Sequence, residues 1–163
     1  MAIAAVLGLA IAFGLWWIYF DFVGRRPFKP DIVAVVFWSY LHLPLAIAMT
    51  AAGAGMLNVI ADADSRLDYS VSLLIAGAIG SVLIIIGLLE TLLRRDIDEP
   101  THPQLSPALK FAGGMAAILI GFLSRGFNIA VLEGLLLIPI LVQVGYGLYV
   151  WFTQELDEDF KAG

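Results

Sequence analysis

Long apolar stretches, separated by short charged segments, recur five times along this 163-residue chain. A helix needs about 20 consecutive apolar residues to cross the hydrocarbon core of a bilayer. The chain is 61% hydrophobic and 14% charged, whereas a soluble domain is roughly half apolar and a quarter charged. The pattern therefore predicts an all-α, polytopic transmembrane helical bundle that forms a single domain. The five membrane-spanning helices are predicted at residues 2–23, 31–60, 71–93, 107–124 and 127–152, and an acidic C-terminal tail is predicted at residues 153–163.

Positive charges are distributed unequally between the two sides of this predicted bundle. Seven of them fall on one side, namely Arg25, Arg26, Lys29, Arg94, Arg95, Lys110 and Lys161, and two fall on the other, namely Arg66 and Arg125. By the positive-inside rule, the side that is richer in Lys and Arg is cytoplasmic. We therefore expect a multi-pass protein of the cell inner membrane, with its N-terminus outside and its C-terminus in the cytoplasm.

Composition also excludes several classes of site. The chain has no cysteine, which rules out disulfides, iron–sulfur clusters and thiolate zinc sites. Its formal net charge of -5 disfavours nucleic acid as a partner, so the lipid bilayer is the expected environment. His102 has no spacing to other ligands that is typical of a metal site, and none is predicted. The sequence identifies no cofactor and no catalytic triad, and an enzyme ranks third among the functions considered.

His42 is the titratable group that lies deepest in a predicted span. It is about eleven residues into the second helix, which at ~1.5 Å per residue is near the middle of the bilayer. Pro44 removes a backbone hydrogen bond one turn back and frees a carbonyl near Tyr40. Two interpretations remain open: a proton, ion or ligand role for His42, or a structural hydrogen bond to a neighbouring helix.

Glu133 and Gln143 are the polar groups inside the fifth apolar run. A bare carboxylate is costly in hydrocarbon. Arg125 lies eight residues before Glu133 and is expected to approach it from the outer side. The alternatives are a structural Arg125–Glu133 pair and a site for a lipid or substrate headgroup. Ten residues turn a helix by about −80° net, so Glu133 and Gln143 share a face only in part.

Two further carboxylates precede arginines by four residues, which is the spacing of ion pairs along a helix. Asp21 precedes Arg25, and Glu90 precedes Arg94. Ion pairing explains both acids without a function. For Asp21 the alternative is a carboxylate on an ion path at the inner leaflet.

Small residues recur every four positions in four of the predicted helices, a pattern that allows membrane helices to approach closely. The candidates are Ala51 with Gly55, Ala76 with Gly80 or Gly77 with Ser81, Gly113 with Ala117 and Gly121, and Ala130 with Gly134. Helix packing without any activity is the simplest interpretation of these patterns.

Two motifs together resemble the bacterial low temperature requirement protein A family, LtrA. They are LWWIYFD at residues 15–21 and HLPLAIAMTAAG at residues 42–53. The motif positions are Trp16, Trp17, Tyr19, Phe20, Asp21, His42 and Pro44. The likeness covers most of the chain but matches the C-terminal half of the usual longer family member, whose first half contains a Trp-x-Glu-Leu-Phe-x-Asp-like helix.

The resemblance implies an integral membrane protein and supplies no agreed catalytic residues. A chain of half length is expected to restore the missing half as a homodimer or with a separate membrane protein partner. We expect such a dimer to move or sense a small ion or solute. The alternative is a non-catalytic accessory subunit that packs against a larger membrane complex, lipid or pigment. The two differ in whether His42, Glu133 and Gln143 face one wet cavity or separate protein contacts.

Overall fold

A computed structural model describes residues 2–27, 29–61, 67–94 and 101–153. These residues form helices, and the described ranges contain no β-strand. Helix α1 is Ala2–Tyr19 and continues as a π-helical turn, Phe20–Gly24; the others are α2 (Ile32–Ala61), α3 (Tyr69–Leu92), α4 (Leu105–Leu123) and α5 (Ile129–Thr153). All five are long and apolar enough to cross a membrane. The predicted all-α bundle with five spanning helices is therefore confirmed. The predicted acidic tail lies outside the described residues, apart from Thr153.

The helices pack in the order α1, α5, α4, α3 and α2, and α1 contacts α2 only sparsely. Helix α3 is the most enclosed, since 56% of the residues in its 18-residue apolar stretch are buried. Its buried side chains, among them Ile75, Ile79, Leu83 and Ile86, form the centre of the hydrophobic core. The core is therefore closed around α3 and open between α1 and α2.

Helices α3 and α4 meet with their backbones almost in contact. A Cβ atom placed on Gly80 would lie 2.6 Å from the carbonyl oxygen of Gly114, and one on Gly114 would lie 2.7 Å from that of Gly80. About two turns further along α4, a Cβ on Gly121 would lie 2.7 Å from the Cβ of Ala76. Small residues therefore set the α3–α4 distance, as expected for a membrane interface. The alternative small faces at Gly77 and Gly134 are not used in this way, because a Cβ there meets nothing within 4 Å.

The helix ends are held by local and long-range hydrogen bonds. The Asp31 carboxylate accepts a hydrogen bond from the backbone N–H of Val33 at 3.3 Å, a contact typical of a helix N-cap. The loop between α1 and α2 is also tied to the end of α3. The backbone N–H of Arg94 donates to the carbonyl of Pro27 at 2.8 Å, and the Lys29 ammonium donates to the carbonyl of Thr91 at 2.7 Å.

Candidate functional site

His42 forms a bridge between α1 and α2. Its Nδ1 lies 2.7 Å from the backbone oxygen of Trp38, and its Nε2 lies 3.0 Å from the hydroxyl of Tyr19. Because a carbonyl oxygen only accepts, Nδ1 carries a proton, and in the neutral ring Nε2 accepts the hydrogen bond from Tyr19. The structural interaction with a neighbouring helix that the sequence allowed is therefore formed. A half-buried imidazole with both nitrogens engaged has no position left for a ligand unless Tyr19 moves.

Glu133 has the opposite surroundings. Its side chain is fully buried, with 0% exposed, and neither carboxyl oxygen has a hydrogen-bond partner among the described residues. The guanidinium of Arg125 instead lies 4.7 Å from the centroid of the Tyr69 ring. The expected Arg125–Glu133 pair is therefore not formed in the described part of the chain. Arg125 is exposed, and its contact with Tyr69 links the α4–α5 loop to the start of α3.

Gln143 is the second buried polar group of α5. Its Nε2 donates a hydrogen bond to the backbone oxygen of Leu109 in α4 at 2.8 Å. Its Oε1 is buried without a partner among the residues described. Pro139 lies between Glu133 and Gln143 and has no N–H, so the carbonyl of Leu135 loses its usual helical donor. Helix α5 therefore has oxygen acceptors at three positions, Glu133, Leu135 and Gln143, for which a donor is missing among the described residues.

A cluster of charged and hydroxyl groups lies near the contact between Gln143 and Leu109. We call its five members the Glu90 cluster: Arg26, Glu90, Thr101, Ser106 and Lys110. Arg26 Nη1 lies 3.0 Å from Glu90 Oε1, and Lys110 Nζ lies 2.9 Å from Glu90 Oε2. The Ser106 hydroxyl donates to Glu90 Oε1 at 2.7 Å, and Arg26 Nη2 donates to the Thr101 hydroxyl at 3.2 Å. All five residues are buried. Two cations thus share one carboxylate away from solvent.

The Glu90 cluster was not predicted from the sequence. The expected Glu90–Arg94 pair is wrong, because Glu90 turns into the bundle and binds Arg26 and Lys110 instead. Lys110 was counted among the loop charges, yet it is fully buried, with Nζ 3.4 Å from the centroid of the Phe22 ring. Its position inside the fourth apolar run was the available signal, because a lysine there requires a partner.

Asp21 and Arg25 form the pair predicted from their spacing. Arg25 Nη2 lies 3.1 Å from Asp21 Oδ1, and Arg25 Nε donates to the backbone oxygen of Asp21 at 2.8 Å. The guanidinium also lies 4.7 Å from the centroid of the Trp151 ring. Across the described ranges, no three His, Cys, Asp or Glu side chains come together as a possible metal site.

In the described part of the chain, His42, Glu133 and Gln143 have separate surroundings. One mainly apolar cavity of about 370 Å³ lies between α1 and α2. Another, of about 500 Å³, is lined by α2, α3 and α4. Neither cavity is lined by any of these three residues. Each side chain has a separate environment: His42 bridges two helices, Gln143 bridges α5 and α4, and Glu133 is enclosed without a donor.

These features define the chain as a small multi-pass membrane protein with charged and polar groups in its helical core. The sequence model for the bacterial low temperature requirement A protein (LtrA) family matches residues 1–145, so the chain belongs to that family, as its motifs predicted. No curated protein matches the chain, and no solved structure matches it.

Proposed function

We propose that this membrane protein moves protons along the buried side of α5 toward the Glu90 cluster, with Glu133 as the group that takes up and releases the proton. The observation that carries the proposal is the enclosed Glu133 carboxyl, which lacks a donor among the described residues. An ionised carboxylate without a partner is very costly in an apolar interior, and it becomes neutral by binding a proton. A buried carboxyl that must gain or lose its charge is suited to carrying a proton between two sides.

The remaining polar groups continue from Glu133 toward the Glu90 cluster. Gln143 lies ten residues further along α5, a rise of about 15 Å, and Pro139 leaves the Leu135 carbonyl without its usual donor between them. Gln143 donates to the carbonyl of Leu109, the residue before Lys110. Lys110 in turn contacts Ser106 and Glu90. These contacts support a row of hydrogen-bonding groups across most of the bundle, with titratable side chains at Glu133 and in the Glu90 cluster.

The charge of the Glu90 cluster favours a proton over a metal cation. Arg26 and Lys110 both contact the carboxylate of Glu90, so two positively charged side chains lie at this end of the row. A hydrated metal cation would meet electrostatic repulsion there. A proton needs only a chain of hydrogen-bonding groups and intermittent water molecules, and therefore no wide passage.

The proposal predicts that Glu133→Gln lowers proton flux at least tenfold, because an amide of similar size cannot exchange a proton in this way. The parent and variant would be reconstituted at equal density in liposomes that contain a pH-sensitive dye, and flux would be driven by a potassium diffusion potential. Asp68→Asn is the matched control, since it removes an exposed carboxylate at the start of α3. Equal flux in the parent and Glu133→Gln, with equal reconstitution, would contradict the proposal.

His42 serves as the internal comparison in the same assay. We expect His42→Gln to retain flux, because the hydrogen bonds of His42 join α1 to α2 and do not involve the groups from Glu133 to the Glu90 cluster. His42→Leu should lower the free energy of unfolding by about 1–3 kcal/mol, since it leaves the Tyr19 hydroxyl without its acceptor. Loss of pH-dependent flux in His42→Gln, with normal flux in Glu133→Gln, would instead assign the proton step to His42.

For orientation we propose the cell inner membrane, with the N-terminus outside and the C-terminus in the cytoplasm. The support is the excess of Lys and Arg toward one side of the bundle, which remains when the buried Lys110 is left out. An impermeant thiol reagent applied to intact cells should label Asp68→Cys and leave Gln104→Cys unlabelled. Both positions are exposed, and the chain has no other cysteine, so the reverse result would invert the orientation.

For the partner we propose a second copy of the chain, held through the outer face of α2. Only 17% of the residues in the 18-residue apolar stretch of α2 are buried. The exposed side chains of this helix include Phe37, Tyr40, Leu43 and Ile47. The same face would also suit an accessory subunit bound to a larger membrane complex, which is the second candidate function. The mass of the purified particle separates a homodimer from a mixed complex, and a monomeric mass in mild detergent would argue against both.

A further inference from the structure

An apolar slot separates α1 from α2. Its volume is about 370 Å³, and Ala12, Trp16 and Phe20 of α1 face Met49 and Gly53 of α2 across it. Trp16 and Phe20 are half exposed at its rim, so the slot opens toward the surface that lipid would cover. The one hydroxyl in the lining belongs to Tyr19 and is hydrogen-bonded to His42. Because the rest of the lining is almost entirely apolar, the slot suits a hydrocarbon chain.

A second, smaller cavity continues the slot toward a charged residue. It has a volume of about 260 Å³, shares Trp16 and Phe20 with the slot, and is also lined by Trp17, Asp21 and Arg25. The Arg25 side chain is 41% exposed. Its described contacts with Asp21 use Nε and Nη2, which leaves Nη1 able to donate to an anion. Because Asp21 offsets part of the charge, a ligand here is held by directed hydrogen bonds as well as by charge.

The length of the two joined cavities matches one leaflet of a membrane. Ile11 lines the far end of the slot and Arg25 lines the charged cavity. Fourteen residues separate them, which corresponds to about 21 Å along a helix. A bilayer with its headgroups is about 40–45 Å thick, so half of it has the same length. An acyl chain in the slot would place its phosphate beside Arg25.

We propose that the α1–α2 slot binds one anionic phospholipid, with an acyl chain between the two helices and the phosphate hydrogen-bonded to Arg25. The lipid fills the gap that the sparse α1–α2 contact leaves in the bundle. This site is separate from the proposed proton path, because none of its residues belongs to α3, α4 or α5.

The test is lipid retention measured by native mass spectrometry. Purified protein would be exposed in mixed micelles to equal amounts of phosphatidylglycerol and phosphatidylcholine. Both lipids carry a phosphate, but the choline cation of phosphatidylcholine would lie beside the Arg25 guanidinium and be repelled by it. We therefore expect the parent to retain one phosphatidylglycerol in preference to phosphatidylcholine. Gly53→Leu should lower retention of both lipids at least tenfold, because a Cβ on Gly53 meets nothing within 4 Å and the new side chain would fill the slot without a clash. Arg25→Gln should abolish the preference between the two headgroups.

Gly145→Leu is the matched control, since Gly145 is an exposed glycine of α5 with the same open surroundings, and it should retain lipid as the parent does. Ala12→Leu fills the slot from the opposite wall and should reproduce the effect of Gly53→Leu. Parent-like retention in both slot-filling variants would overturn the assignment of the slot. A parent that shows no headgroup preference would overturn the role of Arg25. If Gly53→Leu halves the mass of the particle without changing its lipid, a second copy of the chain occupies the slot and the proposal fails.

Discussion

Replacing Glu90 with alanine is expected to lower the free energy of unfolding by about 3–5 kcal/mol, the range for removing one partner from a buried ion pair. The reason lies in the Glu90 cluster, where one carboxylate serves both Arg26 and Lys110 and also accepts a hydrogen bond from Ser106. Without it, Arg26 and Lys110 both lose a carboxylate that contacts them away from solvent. Unfolding in detergent micelles, followed while a denaturing detergent is added, measures this change.

Thr91→Ala is the control for this measurement. Thr91 is the next residue, is exposed, and donates its hydroxyl to the carbonyl of Leu88 in its own helix. We expect its effect to be much smaller than that of Glu90→Ala. Glu90→Gln should fall between them, because an amide oxygen still accepts hydrogen bonds from Arg26 and Ser106 without balancing charge. Similar unfolding curves for Glu90→Ala and Thr91→Ala would contradict the importance assigned to the cluster.

Adding one methyl group at Gly114 is expected to destabilise the bundle by about 1–3 kcal/mol, the usual cost of overpacking. The new Cβ would lie 2.7 Å from the backbone oxygen of Gly80 and 2.6 Å from Cγ1 of Ile84. The backbone oxygen cannot turn away as a flexible side chain would, so α3 and α4 must separate. The same denaturation assay applied to Gly114→Ala measures this cost.

Gly134→Ala provides a control of opposite sign. A Cβ at Gly134 meets nothing within 4 Å, and alanine is favoured over glycine inside a helix by roughly 0.5–1 kcal/mol. Gly134→Ala should therefore be neutral or stabilising, whereas Gly114→Ala destabilises. If the two substitutions shift the unfolding transition in the same direction, the close α3–α4 contact does not limit stability.

The features that the sequence predicted correctly are those that depend on neighbouring residues. The spanning helices follow from long apolar runs, and the Asp21–Arg25 pair follows from a four-residue spacing. Each of these depends on local geometry. Local geometry is the same whatever the rest of the bundle does.

The features that were missed depend on how the helices are aligned with one another. Glu90 meets Lys110, twenty residues away, and Arg26, sixty-four residues away, only because α3 and α4 meet in the register set by Gly80 and Gly114. The same limitation explains why the predicted Arg125–Glu133 pair is not formed in the described part of the chain. Spacing allowed it, but the loop directs Arg125 onto the Tyr69 ring of another helix. Periodicity within one helix contains no information about either alignment.

The π-helical turn Phe20–Gly24 at the end of α1 determines which of two adjacent arginines enters the protein. Arg26 is buried against Glu90, whereas its neighbour Arg25 remains exposed beside Asp21 and Trp151. A π turn amounts to one residue inserted into an α-helix, and each residue rotates the chain by about 100°. The two arginines are chemically identical, so their different environments are set by chain length. Deleting one residue from this turn would rotate Arg25 away from the proposed lipid and Arg26 away from Glu90 together, changing the surface and the core in a single step.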